Sequence, residues 1–292
     1  MTADSLLLPG LSMIASDYDG ILCDVWGVVH NGVRVNPGAS EALSRFREQG
    51  GRVVLITNAP RPSAPIYDQL DSLGCPRDAY DTIVTSGDVT HGLLKAYEGD
   101  TVVHIGPERD YTLYEGTGLA AVEDDTRAPD GGLIVCTGLY DDVDETPEDY
   151  HDRFRSLISR GFSMVCANPD VVVERGNTLI WCAGALARDY AALGGKVQIL
   201  GKPYKPIYDR AIGELERLSG RPQDRAKVLA IGDGLPTDIK GACGQGLDVL
   251  FITAGIHAAD FGAAEMPDGG LVKDRLESEG LSARAAMPRL VW

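Results

Sequence analysis

The stretch Ile21-Leu22-Cys23-Asp24-Val25-Trp26-Gly27-Val28 sets the reading of the whole chain. An apolar run without polar alternation suits a strand buried on both faces, as in a parallel sheet, and this run ends on a carboxylate. The pattern returns three times. Val53-Val54-Leu55-Ile56 leads into Thr57-Asn58, Val197-Gln198-Ile199-Leu200-Gly201 into Lys202, and Val228-Leu229-Ala230-Ile231-Gly232 into Asp233. In open parallel sheets ligands bind beyond the carboxyl ends of the strands, so groups placed this way can converge there.

Further short apolar runs lie outward from these: Thr82-Ile83-Val84, Val102-Val103-His104-Ile105, Leu133-Ile134-Val135-Cys136, Met164-Val165-Cys166 and Val249-Leu250-Phe251-Ile252. Between the first two strands, Asn36-Pro37 supplies an N-cap and a first-turn proline. Ala39, Ala42, Leu43 and Phe46 make one apolar stripe, and Gly50-Gly51 closes the helix, giving a βαβ unit. A second such helix follows Pro206, with Ile207, Ala211, Leu215 and Leu218 on one side and Gly220 at its end.

From about residue 85 to 195 the chain is more acidic, with Asp124-Asp125 and the cluster Asp141, Asp142, Asp144, Glu145, Glu148 and Asp149, yet it carries strands of its own. An inserted domain is expected there, flanked by core segments over 1–84 and 196–292. From about Arg275 the chain reads as a polar, helix-like tail.

The composition narrows the function. The chain has 292 residues, 44% of them hydrophobic, with 43 acidic against 27 basic side chains and a net charge of −16. That length and apolar content support a buried core and exclude a disordered chain. The charge repels phosphate backbones and anionic lipid surfaces, so neither nucleic acid nor membrane is an expected partner. Leu6-Leu7-Leu8, Leu11, Met13 and Ile14 form a short run broken by Pro9-Gly10, which fails as a signal peptide and as a span. Six cysteines stand singly with no C-x-x-C pair, as expected of reduced thiols in a cytoplasmic protein.

Asp24, Thr57, Lys202 and the pair Asp233 and Asp238 together make a plausible Mg²⁺-phosphate site, since Mg²⁺ favours one or two carboxylates with phosphate oxygens and water. In this order the motifs resemble those of the haloacid dehalogenase (HAD) superfamily, specifically the class IIA branch of NagD-like nucleotide phosphatases and pyridoxal phosphate phosphatases. The resemblance rests on Asp24-Val25-Trp26-Gly27-Val28, the Pro37-Gly38 helix start, Val54-Leu55-Ile56-Thr57-Asn58, Gly201-Lys202-Pro203 and Gly232-Asp233-Gly234-Leu235-Pro236-Thr237-Asp238. Asn168-Pro169-Asp170 is similar to a further signature of that class.

The resemblance implies an α/β fold: a Rossmann-like parallel-sheet core with an inserted C2-type α/β cap over residues 85–195. It implies a Mg²⁺-dependent phosphomonoester hydrolase acting on a small phosphorylated metabolite. Asp24 would form an aspartyl-phosphate, and Thr57 and Asn58 would hydrogen-bond the phosphoryl oxygens. Lys202 would neutralise charge. The metal would sit with Asp24, the backbone carbonyl of Trp26, Asp233 and Asp238, the last also able to pair with Lys202. The segment after Asn168-Pro169-Asp170 is where such a cap carries substrate residues, here Glu174, Arg175, Asn177 and Trp181. Trp181-Cys182-Ala183-Gly184 stands where relatives have a Gly-rich turn, so the substrate does not carry over. A homodimer through the cap is implied as well.

Two features complicate the match. Asp17-Tyr18-Asp19-Gly20 imitates the first motif, with two aspartates two residues apart. Asp24 nevertheless lies 13 residues before Pro37 and 33 before Thr57, the class IIA spacing, and directly follows an apolar strand. Asp17 and Asp19 are then turn residues. With Asp24 as nucleophile, Trp26 occupies the place of the second aspartate, the general acid, and an indole N–H cannot donate a proton at neutral pH. Such help is typically worth roughly 10² to 10⁴ in rate. His30 is the nearest substitute by sequence. An aromatic residue at that place also admits two other readings: a metal-free hydrolase of carbon–halogen bonds, and a HAD-fold binding protein with weak catalysis.

Overall fold

The computed structural model describes residues 6–175 and 178–292. It divides into two compact units: Met1–Thr57, Tyr67–Val84 and Tyr208–Trp292 form the first, and Asn58–Ile66 with Thr85–Ile207 form the second. The chain begins in the first unit with β1 (Gly20–Asp24), α1 (Pro37–Glu48) and β2 (Arg52–Thr57), and returns to it within α2 (Ser63–Ser72), before β3 (Thr82–Thr85). The second unit carries α3 (Ser86–Leu94), β4 (Thr101–Ile105), β5 (Ala120–Val122), β6 (Leu133–Cys136), α4 (His151–Ser159) and β7 (Ser163–Cys166). After these come β8 (Val172–Arg175), β9 (Thr178–Trp181), α5 (Ala183–Ala192) and β10 (Lys196–Ile199). The chain then returns through α6 (Lys205–Ser219), β11 (Val228–Gly232), α7 (Lys240–Gly244) and β12 (Asp248–Ile252). It ends with the short pair β13 (Gly262–Ala263) and β14 (Met266–Pro267), then α8 (Gly269–Ser278) and β15 (Ala285–Met287).

In the first unit six strands lie in the order β15-β12-β11-β1-β2-β3, and every pairing from β15 to β2 is parallel. All five residues of β1 and of β11 are buried, which is why these strands read as unbroken apolar runs. The α1 stripe packs inward as expected, and Gly50, at φ +92°, ends the helix in a conformation glycine adopts without strain. Asn36 holds the N-cap position, but its side chain donates to the Val28 carbonyl (2.7 Å) instead of capping a helical N–H. In α6, Ile207, Ala211 and Leu215 are buried. From β1 the chain moves to β2 and β3 on one side, and β11, β12 and β15 occupy the other. The switch in strand order therefore falls between β1 and β11.

The second unit is a five-stranded parallel sheet, β10-β7-β6-β4-β5, with an antiparallel hairpin β8-β9. Successive residues of its strands feed opposite cores. Val103, Ile105, Ile134 and Cys136 pack with Phe154, Leu186 and Tyr190, while Val102 and Val135 pack with Leu94 and Leu113.

Two expectations need correction. The boundary expected at 195 falls one strand early, because Lys196–Ile199 pairs parallel with Ser163–Cys166 in the second sheet. That strand is an edge, with alternating exposure, and its Lys-Val-Gln-Ile sequence carries no mark of which sheet it joins. The tail from Arg275 is also more than a helix: after α8 it supplies β15, which pairs with β12. The opening segment is fastened to it, Leu8 N–H donating to Ala286 O (2.9 Å) and Leu11 N–H to Val291 O (2.8 Å). No helix among the described residues is long and apolar enough to cross a membrane. The six cysteines form no disulfide; five are buried and Cys243 is half-buried.

Candidate active site

In the first unit the switch point gathers carboxylates. Cys23 and Ile231 are register partners in β1 and β11, so the two strands end level: Asp24 is the last residue of β1 and Asp233 directly follows β11. Asp238 enters from the π-helical turn Leu235–Ile239, where its Oδ2 accepts the Gly234 N–H at 3.0 Å. All three are buried, and each places an oxygen within 4.8 Å of the others. Thr57, also buried, ends β2, one residue beyond Ile56, the register partner of Asp24.

Residues without a motif hold this arrangement. A Cβ on Gly27 or on Gly255 would overlap the Asp233 carboxylate, and Gly27, at φ +91°, needs glycine on conformational grounds as well. The Ile256 N–H donates to Asp233 Oδ2 (3.0 Å), and His257 Nε2 accepts the Leu235 N–H (3.3 Å), tying the loop after β12 to the turn that carries Asp238. The one sequence signal for these residues was position: they follow another apolar run, so they too stand at the carboxyl end of a parallel strand. Burying three carboxylates together is costly unless opposite charge compensates them. An all-oxygen donor set of this size suits a hard divalent cation.

Asp17 and Asp19 stand apart from this group. Asp17 ends a short 3₁₀ helix and lies 3.6 Å from Arg284, while Asp19 precedes β1 and accepts from Arg221 at 2.7 Å. Trp26 meets His30 edge to face, centroids 4.9 Å apart, and leaves no room for a side chain at Gly32. His30 does not fit the substitute acid. Its ring is buried, burial lowers its pKa to about 4, and Nδ1 accepts the Gly32 N–H at 2.9 Å. At neutral pH it is an uncharged imidazole with its proton on Nε2.

In the second unit Asn58 and Lys202 come together. Asn58 Oδ1 accepts the Lys202 N–H (2.7 Å), and its Nδ2 donates to Asp170 Oδ1 (2.8 Å) and to Lys202 O (3.3 Å). Both amide hydrogens are engaged, so this side chain positions the buried Lys202 and Asp170. A hydrogen bond from Asn58 to phosphate would fall to its backbone N–H. Asp170, from the Asn-Pro-Asp signature, thus acquires a physical role.

Arg175, at the end of β8, grips Asp142 through two hydrogen bonds (2.8 and 3.1 Å), and Arg109 joins at 3.0 Å. The Arg175 contact, then Arg109, lowers the Asp142 pKa against its burial. Trp181 ends β9 and packs against the second unit's core. The Glu174 side chain and Asn177 lie outside the described residues.

Residues 21–120 match the haloacid dehalogenase-like hydrolase family, and residues 199–277 match a HAD-hydrolase-like family. A haloacid dehalogenase-like family hydrolase from Brucella suis 1330 superposes with a TM-score of 0.86 at 44% identity, covering 98% of this chain and 100% of that one. The D-glycerol 3-phosphate phosphatase of Mycobacterium tuberculosis is 26% identical over 254 residues, 85% of this chain and 67% of that protein. A glycerol phosphate phosphatase of that organism, in complex with magnesium, superposes with a TM-score of 0.65 at 26% identity, covering 83% of this chain and 70% of that one. The ribonucleotide monophosphatase NagD of Escherichia coli K12 is 25% identical over 246 residues, 82% of this chain and 89% of its own.

Proposed function

We propose that this chain, which belongs to the haloacid dehalogenase-like hydrolase family, is a Mg²⁺-dependent phosphatase of a small phosphorylated metabolite. The observation that carries this reading is the buried trio Asp24, Asp233 and Asp238 at the switch point of a parallel sheet, with oxygens within 4.8 Å of one another. A Mg²⁺ complex of a relative and the phosphatase names of others point the same way.

In this reading Asp24, Asp233 and Asp238, with the Trp26 carbonyl, would hold Mg²⁺, which would supply positive charge to the phosphoryl group. An Asp24 carboxylate oxygen attacks phosphorus; the phosphorus–oxygen bond to the alcohol breaks, leaving an aspartyl-phosphate. Water then attacks that phosphorus, releasing inorganic phosphate and restoring the carboxylate. Thr57 donates to the phosphoryl oxygens, and Lys202, set by Asn58, neutralises their charge. Trp26 cannot protonate the departing alcohol, so turnover favours leaving groups that need no proton.

Purified protein should release phosphate from p-nitrophenyl phosphate with Mg²⁺ and stop when the metal is chelated; turnover indifferent to chelation would overturn the reading. Trp26 favours the carbon–halogen alternative, but that chemistry, with Asp24 attacking carbon, gives the buried carboxylates of Asp233 and Asp238 no task. Halide release from a 2-haloacid under chelation would revive it. A cytoplasmic homodimer formed through the second unit accompanies the main reading, and sedimentation equilibrium checks the stoichiometry.

A further inference from the structure

The second unit contains a charged group that the reaction above does not use. Its sheet has its own switch point, because from β4 the chain goes to β5 on one side and to β6 on the other. Beyond those carboxyl ends stand Arg109 and Asp110, in the 3₁₀ helix Glu108–Tyr114 after β4, and Asp142, in the loop after β6. This is the position at which open parallel sheets take ligands. Arg61 Nε lies 3.7 Å from Asp110 Oδ1, and Asp142 joins Arg109 to Arg175.

The acids sit inside and the bases outside. The side chains of Asp110 and Asp142 are 4% and 13% exposed, those of Arg109 and Arg175 57% and 41%. The carboxylates therefore form a floor that holds the Arg109 and Arg175 guanidiniums toward solvent, while the Arg61 side chain, 25% exposed, stays half-buried beside Asp110. Of the five donors on each guanidinium, Arg175 commits two to Asp142 and Arg109 one. The remaining planar forks match a carboxylate or a phosphate. Burial lowers the Arg61 pKa, against the pull of Asp110.

Chain continuity also joins this group to Asn58 and Asp170. Arg61 lies three residues beyond Asn58, and Arg175 ends the strand that starts two residues after Asp170. Asp170 accepts from Asn58, which holds Lys202. The arginines therefore stand on the same connected part of the second unit as the two residues assigned to the phosphoryl group.

We infer that Arg61, Arg109 and Arg175 form a subsite for a second anionic group of the substrate, a carboxylate or phosphate remote from the hydrolysed ester. The inference rests on the phosphatase reading and narrows it to phosphoesters with two anionic ends. Asp110 and Asp142 act as positioning residues.

The test is calorimetric binding to Asp24→Asn protein with Mg²⁺, which reads recognition without turnover. It uses matched pairs: 3-phosphoglycerate against glycerol 3-phosphate, and fructose 1,6-bisphosphate against fructose 6-phosphate. The doubly anionic member of at least one pair should bind at least about tenfold more tightly, and the pair that shows it tells carboxylate from phosphate. Arg109→Ala and Arg175→Ala should each erase that preference while leaving glycerol 3-phosphate affinity unchanged. Equal affinities within both pairs, or a loss shared equally by glycerol 3-phosphate, would overturn the subsite and leave the arginines as tethers of the hairpin. Failure of the wild-type protein to hydrolyse p-nitrophenyl phosphate would instead sink the reaction, and the paired affinities would still decide the subsite.

Discussion

The two units share one device and use it with opposite sign. Each is a parallel sheet whose strand order switches beside its earliest strand. In the first, the switch point draws three carboxylates inward, with Gly27 and Gly255 against Asp233. In the second, two carboxylates are sunk beneath the outward-facing guanidiniums of Arg109 and Arg175, with Arg61 half-buried beside Asp110. The topology decides where side chains collect, and the residue at each strand end decides what they attract. The chain's charge of −16 therefore has the sign of the first site and says nothing of the second.

The sharpest way to break this contrast is to remove the nucleophile. Asp24→Asn should lower p-nitrophenyl phosphate turnover by roughly 10⁵-fold while melting as the wild type does. Asp142→Ala should not approach that loss in kcat on the same substrate. Next in size is the missing acid. Alkyl phosphates should turn over roughly 10² to 10⁴ times more slowly than p-nitrophenyl phosphate, Trp26→Asp should narrow that gap, and His30→Gln should leave it unchanged. A gap widened by His30→Gln would return the proton to His30.

A subtler blow is Gly255→Ala, which displaces the Asp233 carboxylate without replacing a titratable residue. A shift of about 1 Å at such a site costs about 10²-fold in kcat, and added Mg²⁺ should recover part of it. The second unit's preference for doubly anionic ligands should stay as it was.

The smallest effect treats the units alike. His30 in the first and His104 in the second are buried, and burial lowers each to about pH 4. The unfolded chain binds these protons first as the pH falls, so each histidine subtracts stability from about pH 6.5 downward, completely by about pH 4. That amounts to at most about 3 kcal/mol each. Melting temperature should fall between pH 6.5 and 4, and His30→Gln or His104→Gln should flatten part of the slope.

The core strands were legible because a strand covered on both faces must be apolar at every position, as in Val53-Val54-Leu55-Ile56 and Val228-Leu229-Ala230-Ile231. Edges were not. Ala285–Met287 is too short and too plain to announce a strand, and Lys196–Ile199 alternates without naming its sheet. Asp24, Asp233 and Asp238 could be picked out because motif and spacing agree, whereas Gly255 and Ile256 act on Asp233 through backbone proximity, which a sequence does not display. Asp142 was hidden among acidic neighbours that read as a solvated run, although its own carboxylate is nearly buried. His30 read as the nearest substitute acid, and only its contact with the Gly32 N–H shows which nitrogen lacks the proton.

The first unit's sheet is closed at its edge by β15, almost the last residues of the chain, and the opening segment is fastened to the same stretch. The second unit is complete by Ile207. During synthesis from the N-terminus, the arginine-bearing sheet can be finished on the nascent chain while Asp233 and Asp238 have yet to be made. The ribosome thus delivers the metal-type centre last, and a truncated product would present the second unit intact beside a first unit with no means of chemistry.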